Sequence, residues 1–283
     1  MPPTFPTFPT FPASPTAASS PDLFSASLPT PDAVVAALRA AGCVFAEDEA
    51  ALILTAARSA AELTALVDRR VTGLPLELVL GWAVFRGLRV AVAPGVFVPR
   101  RRTEFLVTEA LAHAPHANVV VDLCCGSGAV GAALAAALEH PEVHAVDVDP
   151  AAVRCARGNL ADAGGRVYAG DLFDALPDAL RGRVDILAAN VPYVPTDEVA
   201  LLPAEARDHE PLVALDGGTD GLDVLRRVAA GAPGWLAPGG CLLVETSERQ
   251  ASDAVDAFTR AGLTTRLAVC EELYAHVVIG VRD

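Results

Sequence analysis

The stretch Val119-Val120-Val121-Asp122-Leu123-Cys124-Cys125-Gly126-Ser127-Gly128 decides how this chain folds. A continuous β-branched and aliphatic run is what a strand buried on both faces requires, and such strands belong to parallel sheets. The run ends in a loop whose glycines, at 126 and 128, let backbone approach a ligand with no Cβ in the way. An alanine-rich helical segment follows. Strand, glycine loop and helix together open a doubly wound α/β sheet.

Downstream the alternation repeats. A second strand is expected over 143–148, with Asp149-Pro150 capping the helix after it. A third, over 167–169, leads into Gly170-Asp171-Leu172-Phe173, and a fourth, over 184–189, into Asn190-Val191-Pro192-Tyr193. Further strands are expected over 241–245, 264–269 and 276–281, with helices before the first of these and between the first two. Ligands of an open sheet bind beyond the carboxyl ends of its strands, so these loops converge on one edge. Asp147 lies 21 residues after Gly126, near the ~20 expected of a carboxylate that accepts ribose hydroxyls. A nicotinamide-binding domain satisfies both points. Yet Gly-x-Gly-x-x-Gly is incomplete, because position 124 is Cys although position 131 is Gly. Asp122 followed by Gly126 and Gly128 suits a nucleoside cofactor without a pyrophosphate.

Upstream, residues 1–29 repeat Pro-Thr-Phe three times and then turn rich in Ser, Pro and Ala. Proline at this density blocks helices and sheet ladders, so an unstructured or polyproline-like tail is expected. Order is expected from Thr30-Pro31-Asp32, a cap followed by proline, with Val34, Val35 and Leu38 at helical spacing. A second helix carries Leu52, Ile53 and Ala56. A third opens at Ser59 with Glu62 completing a capping box, buries Leu63, Leu66 and Val67, and stops at Gly73. Three short helices thus make a small N-terminal helical domain over 30–80. Val84, Leu88, Val90 and Val92 around Arg86-Gly87 indicate a connecting β-hairpin over 81–98, and the sheet domain takes 99–283. Arg100-Arg101-Arg102 stands at its start, either as a solvated loop or as an anion-facing loop at the mouth of the site.

The chain has 283 residues, 52% of them hydrophobic, which fits one large domain and one small one. All 21 basic residues are arginine. A formal charge of -14 argues against nucleic acid as a partner, because sequence-independent binding needs basic surface against phosphates. Cys43, Cys124, Cys125, Cys155, Cys241 and Cys270 form no Cys-x-x-Cys pair and find no His cluster, so no metal site is expected. They read as free thiols. Neither a basic flank with an apolar core nor a run of roughly 20 apolar residues is present. A soluble, cytoplasmic protein without a membrane partner is expected.

Taken alone, Asn190-Val191-Pro192-Tyr193 reads equally well as no more than a strand end followed by a proline turn. It also resembles the Asn-Pro-Pro-Tyr loop of amino-group methyltransferases, with Val191 in place of the first proline. The likeness extends through Phe97-Val98-Pro99-Arg100, Thr103-Glu104, Asp122-Leu123, Gly126-Ser127-Gly128 and Ala145-Val146-Asp147. Its longest part is Leu201-Leu202-Pro203-Ala204-Glu205-Ala206-Arg207-Asp208-His209-Glu210-Pro211, continued by Ala214-Leu215-Asp216-Gly217-Gly218 and Asp220-Gly221-Leu222. From about Asp32 to its end the chain resembles the PrmC/HemK family of peptide-chain release factor N(5)-glutamine methyltransferases.

That resemblance implies a class I, Rossmann-like methyltransferase domain behind a helical substrate-recognition domain, with S-adenosyl-L-methionine as cofactor and release factors as protein substrate. It implies that Asp122, Cys124, Cys125, Gly126, Ser127 and Gly128 wrap the methionine part, that Asp147 holds the ribose, and that Asp171 and Leu172 border the adenine. Asn190 would border the cofactor too, while Asn190, Val191, Pro192 and Tyr193 hold the glutamine. Besides Val191, two departures stand out. Cys124 replaces a glycine and is expected at negative φ; Arg101 and Arg102 replace a Pro-Glu pair. Other readings keep the cofactor and change the acceptor to another protein glutamine, a small-molecule amide or a base amine, the last opposed by the acidic charge. A cofactor-binding protein that no longer transfers methyl groups is the non-enzymatic reading.

Overall fold

In the computed structural model, which describes residues 30–283, order begins at the cap signal. The Thr30 hydroxyl accepts from the Ala33 N–H at 3.3 Å and opens α1 (Pro31–Ala40). Next come α2 (Ala46–Ala56) and α3 (Ala60–Val71). Ser59 Oγ accepts from the Glu62 N–H at 3.1 Å, while the Glu62 carboxylate turns back to the N–H of Arg58 rather than of Ser59. Val34, Leu38, Ile53, Leu63 and Val67 form the core of this unit. Of the residues expected in the second helix, Ile53 is fully buried and Leu52 is 40% exposed. A fourth helix, α4 (Leu76–Leu80), adds to the three expected; five residues are too few to show a period. The Pro-Thr-Phe tail lies outside the described residues.

The hairpin pairs β1 (Trp82–Phe85) with β2 (Leu88–Ala91) in antiparallel register. Its turn residues Arg86 and Gly87 have φ of 47° and 75°, the paired positive φ of a two-residue hairpin turn. Then α5 (Glu104–His113) leads to the sheet domain, where strands and helices alternate: β3 (Val119–Leu123), α6 (Ala129–Ala137), β4 (Glu142–Asp147), α7 (Pro150–Leu160), β5 (Arg166–Ala169) and β6 (Val184–Ala189). After a long loop carrying α8 (Ala204–His209) come α9 (Asp223–Gly231), β7 (Leu236–Thr246), α10 (Ala251–Arg260), β8 (Thr264–Cys270) and β9 (Ala275–Val281).

Seven strands form one sheet in the order β5-β4-β3-β6-β7-β9-β8. The first five run parallel, and β9 is antiparallel to both its neighbours. Alternate residues of each strand enter different cores, as the pleat requires. Val120, Ile186, Ala188 and Leu243 pack with α5, α6 and α7, whereas Val121, Leu187, Ala189 and Val244 pack with α9 and α10. Both faces are covered, which is why β3 and β6 read as apolar runs broken only by Asp122 and Asp185. Strand β7 starts five residues before the expected 241, since Gly239-Gly240 reads as a break. A Cβ at Gly240 would meet the Val184 carbonyl oxygen at 2.5 Å, so the glycine marks a close approach at the irregular β6–β7 register.

Candidate active site

The chain runs outward from β3 to β4 and β5, then returns to β6 on the other side of β3. This reversal opens a crevice at the carboxyl ends of β3 and β6. A cleft of about 850 Å³ lies there, within the size range of ligand sites.

The loop after β3 forms one wall. Cys124, Gly126 and Gly128 have φ of 53°, 53° and 77°, so the backbone winds through the left-handed region three times in five residues. The expectation of a negative φ at Cys124 is therefore wrong. Its neighbour explains why: the Cys125 N–H donates to the Val146 carbonyl on β4 at 3.0 Å, and that bond turns the chain at 124. Burial pushes both thiols well above the usual range, with the Asp147 and Asp122 carboxylates adding to it. Cys124, Cys125, Gly126 and Ser127 line the cleft, but Gly128 does not. A Cβ on Gly128 would meet the Ala156 Cβ at 3.0 Å, so this glycine lets α6 pack on α7.

Asp147 ends β4, and both of its carboxylate oxygens hold the walls together. One accepts from the Gly126 N–H at 2.8 Å and the other from the Asp149 N–H at 2.9 Å. Burial raises its pKa against the pull of those amides. Asp122 is 1% exposed and accepts from the Gly131 N–H at 2.8 Å; burial pushes it up to about 8. On the β5 side, Leu172 is buried with φ of 48°, and Asp171 pairs with Arg227 on α9 at 2.7 Å.

The opposite wall is the loop after β6. Asn190 Nδ2 stands 3.4 Å from the Thr103 hydroxyl. Its Oδ1 is sealed from solvent and has no hydrogen-bond partner. Val191 and Pro192 are buried. Tyr193 donates its hydroxyl proton to Glu245 at 3.3 Å and bonds to Arg102; burial and the Glu245 charge push its pKa up. Long-range contacts fix this loop from behind. Gln250 Nε2 donates to the Tyr193 carbonyl at 2.9 Å and the Asp220 carbonyl at 2.8 Å, and Gly217 N–H donates to the Val194 carbonyl at 2.8 Å.

Glu210, in the loop carrying α8, accepts from the Val98 N–H and takes both oxygens to Arg100 at 2.6 and 2.7 Å. Arg102 pairs with Glu245 at 2.9 Å. Two of the three consecutive arginines are thus neutralised by carboxylates, contrary to either simple reading of a solvated or anion-facing run. Sequence reasoning gave Thr103 no role beyond its place in the family likeness, and it passed over Glu245 and Gln250. Glu245 carried a usable signal: it stands one residue from the end of a strand beside β6, on the edge where ligands bind.

A cofactor of this class fits these residues. The glycine loop offers backbone without Cβ at Gly126, the Asp147 carboxylate keeps lone pairs beyond its two amide bonds, and Asn190 Oδ1 awaits a donor. The sheet order, the antiparallel β9 and the cleft above β3 and β6 define a class I S-adenosylmethionine-dependent methyltransferase. The family model described as "Methyltransferase small domain" matches residues 87–204. A release factor glutamine methyltransferase of Geobacter sulfurreducens is 43% identical over 70% of this chain and 69% of its own. One from Mycolicibacterium smegmatis is 41% identical, covering 74% of each. A Streptomyces pristinaespiralis enzyme named as a 4-amino-L-phenylalanine/4-methylamino-L-phenylalanine methyltransferase is 37% identical over 69% of each chain. Among solved structures, a Pyrococcus furiosus methyltransferase superposes with a TM-score of 0.54 at 16% identity, over 70% of this chain and 90% of its own, which bears on the fold alone. The chain belongs to the release factor glutamine methyltransferase family, and it is an S-adenosylmethionine-dependent N-methyltransferase. Among the described residues no helix is long and apolar enough to cross a membrane.

Proposed function

We propose that this enzyme methylates the side-chain nitrogen of a protein glutamine, that of the Gly-Gly-Gln loop of peptide-chain release factors, and that it works in the cytoplasm. The observation that carries this reading is Asn190 Oδ1, a buried acceptor without a donor in the wall of the cleft. Leaving such an atom unpaired costs about 1–3 kcal/mol, and a ligand N–H removes that cost. The primary amide of glutamine offers two hydrogens. Once the Asn190 carboxamide turns toward the cleft, its Oδ1 and the Val191 carbonyl accept them, which fixes the amide plane and leaves a face of the nitrogen, where the lone pair lies, open to the methyl group.

S-adenosyl-L-methionine supplies a sulfonium-activated methyl group. The chain's own residues then have positioning work to do, because the amide lone pair is delocalised into its carbonyl and reacts only along a narrow approach. Holding reactants in line is worth roughly 7–11 kcal/mol in favourable cases. In this reading Cys124, Cys125, Gly126 and Ser127 hold the methionine part, Asp122 sits beneath them, Asp147 accepts from the ribose, and Asp171 and Leu172 border the base. Tyr193 packs on the amide plane. The helical unit, residues 30–80, serves as the substrate-recognition domain. Its support is Arg70 on α3, which pairs with Glu205 of α8 at 2.9 Å, a residue that lines the cleft.

Incubation of the pure enzyme with labelled cofactor and a release factor tests the assignment. Label should enter the factor and be lost when its Gly-Gly-Gln glutamine is replaced. Asn190→Ala should slow transfer about 100-fold or more with the fold intact. Transfer at the wild-type rate refutes the role of Asn190. Label in 4-amino-L-phenylalanine or in nucleic acid, with none in the release factor, refutes the acceptor.

A further inference from the structure

Arg102 and Thr103 are consecutive residues on the turn before α5, yet they reach opposite ends of the acceptor loop. Thr103 meets Asn190 at 3.4 Å. Arg102 bonds to the Tyr193 hydroxyl, and its guanidinium carbon lies 5.7 Å from the centre of the Tyr193 ring. The same guanidinium donates through Nε to Glu245 Oε1 at 2.9 Å, and that oxygen also accepts from the Tyr193 hydroxyl at 3.3 Å. The three side chains close a triangle.

Glu245 is the fixed corner. It is 1% exposed, and it stands next to Asn190 across the sheet, because Ala189 pairs with Val244 in the register just below. A carboxylate so deeply buried needs its counter-ion, which holds Arg102 in place. A planar guanidinium spends two donors in fixed directions; here one goes to Glu245 and the other to Tyr193. Without them the ring is free to leave its rotamer. Arg102 lines the cleft, whereas Glu245 lies behind it.

We propose that Arg102, anchored by Glu245, is a positioning residue that sets the Tyr193 ring against the acceptor amide. Thr103 sets Asn190 from the same turn, so two consecutive residues align both ends of the acceptor loop. The inference rests on the acceptor-site reading given above. Neither Arg102 nor Glu245 contacts the reacting nitrogen; both act through Tyr193.

Three variants test it: Arg102→Leu, Arg102→Lys, and the double change Arg102→Leu with Glu245→Leu, which removes the buried charge together with its partner. Arg102→Leu should keep the cofactor affinity within about twofold, lower kcat about tenfold or more, and speed amide hydrogen exchange across residues 190–196. Arg102→Lys keeps the counter-charge for Glu245 without the planar fork, so it should fold like the wild type and recover only part of the kcat. The double variant should fold and still show the low kcat and fast exchange, because the Tyr193 hydroxyl has lost both partners. A double variant with wild-type kcat overturns the proposal, as the loss then came from an unpaired Glu245. So does Arg102→Leu with unchanged kcat and exchange. If the wild-type enzyme labels no release factor, the acceptor assignment fails, and the exchange of residues 190–196 still decides the role of Arg102.

Discussion

Replacing Asp147 by Asn tests the cofactor wall with almost no change of volume. The carboxylate accepts two backbone amides, from Gly126 and Asp149, at 2.8 and 2.9 Å. Asn keeps one oxygen, so its NH2 must face one of those N–H groups, donor against donor. A hydrogen bond to a charged group contributes about 1.5–3 kcal/mol, and losing one bond to the ribose should weaken binding by roughly 10- to 150-fold. The fold should lose less, because the native carboxylate is itself disfavoured by burial and Asn does not carry that cost. The expected signature is a large rise in the Kd for S-adenosyl-L-methionine with a small change in Tm. Titration calorimetry with the cofactor and with its demethylated product reads the first, and thermal unfolding without ligand reads the second. Asp178→Ala serves as comparison: it lies outside the cleft, its partner Arg181 is exposed like itself, and such pairs contribute about 0–1 kcal/mol. An Asp147→Asn protein that binds within twofold of wild type would refute the ribose assignment.

Asp122 carries a pH dependence. Its folded pKa, about 8, lies above the ordinary 3.8, so the native state holds a proton that the unfolded chain releases. The stability it contributes is complete below the ordinary value and is lost as pH rises through the folded one, with a slope on the order of 1.4 kcal/mol per pH unit in between. Asp122→Asn keeps an oxygen for the Gly131 N–H and should flatten denaturant midpoints measured from about pH 6 to about pH 8; parallel curves would refute this. Gly221 has φ of 75°, and a Cβ there would sit 2.2 Å from the Tyr193 carbonyl oxygen. Gly221→Ala should cost more than the ~1–2 kcal/mol of a left-handed backbone alone and lower kcat as well, which denaturation and turnover check separately. Val191 donates no backbone hydrogen bond among the described residues, so Val191→Pro removes none and should stiffen the loop; methyl transfer should hold or rise. Loss of transfer in a folded Val191→Pro protein would point to an acceptor other than a release factor.

The parts of this molecule that were legible in its sequence are those governed by local periodicity or a short spacing. Val119–Leu123 and Val184–Ala189 stand where the apolar runs placed them, because burial on both faces selects apolar residues at all but one position of each strand, Asp122 and Asp185. Ser59 caps α3 because its partner is three residues away. Asp147 was found from its distance to Gly126 and from its place at a strand end. Cys124 shows where this kind of reasoning stops. Its positive φ comes from a hydrogen bond that the next residue makes to β4, and a side-chain preference at one position carries no trace of it.

The wall after β6, which we propose takes the acceptor, was legible only as a loop. Its shape comes from partners far along the chain: Thr103 for Asn190, Arg102 and Glu245 for Tyr193, Gln250 and Gly221 for the Tyr193 carbonyl. None of these contacts has a local signature, since each exists only once β6 and β7 lie side by side and the loop carrying α8 folds back. The wall that we propose holds the cofactor draws mainly on residues 124–149, between neighbouring strands β3 and β4, with the Asp171–Arg227 pair at its β5 edge. The two walls therefore answer to different constraints. Changes at Arg102, Glu245 or the α8 loop can reshape the acceptor side while the cofactor side stays as it is. Relatives of this chain are named for acceptors as different as a release factor glutamine and 4-amino-L-phenylalanine, and such a division of the cleft permits that difference.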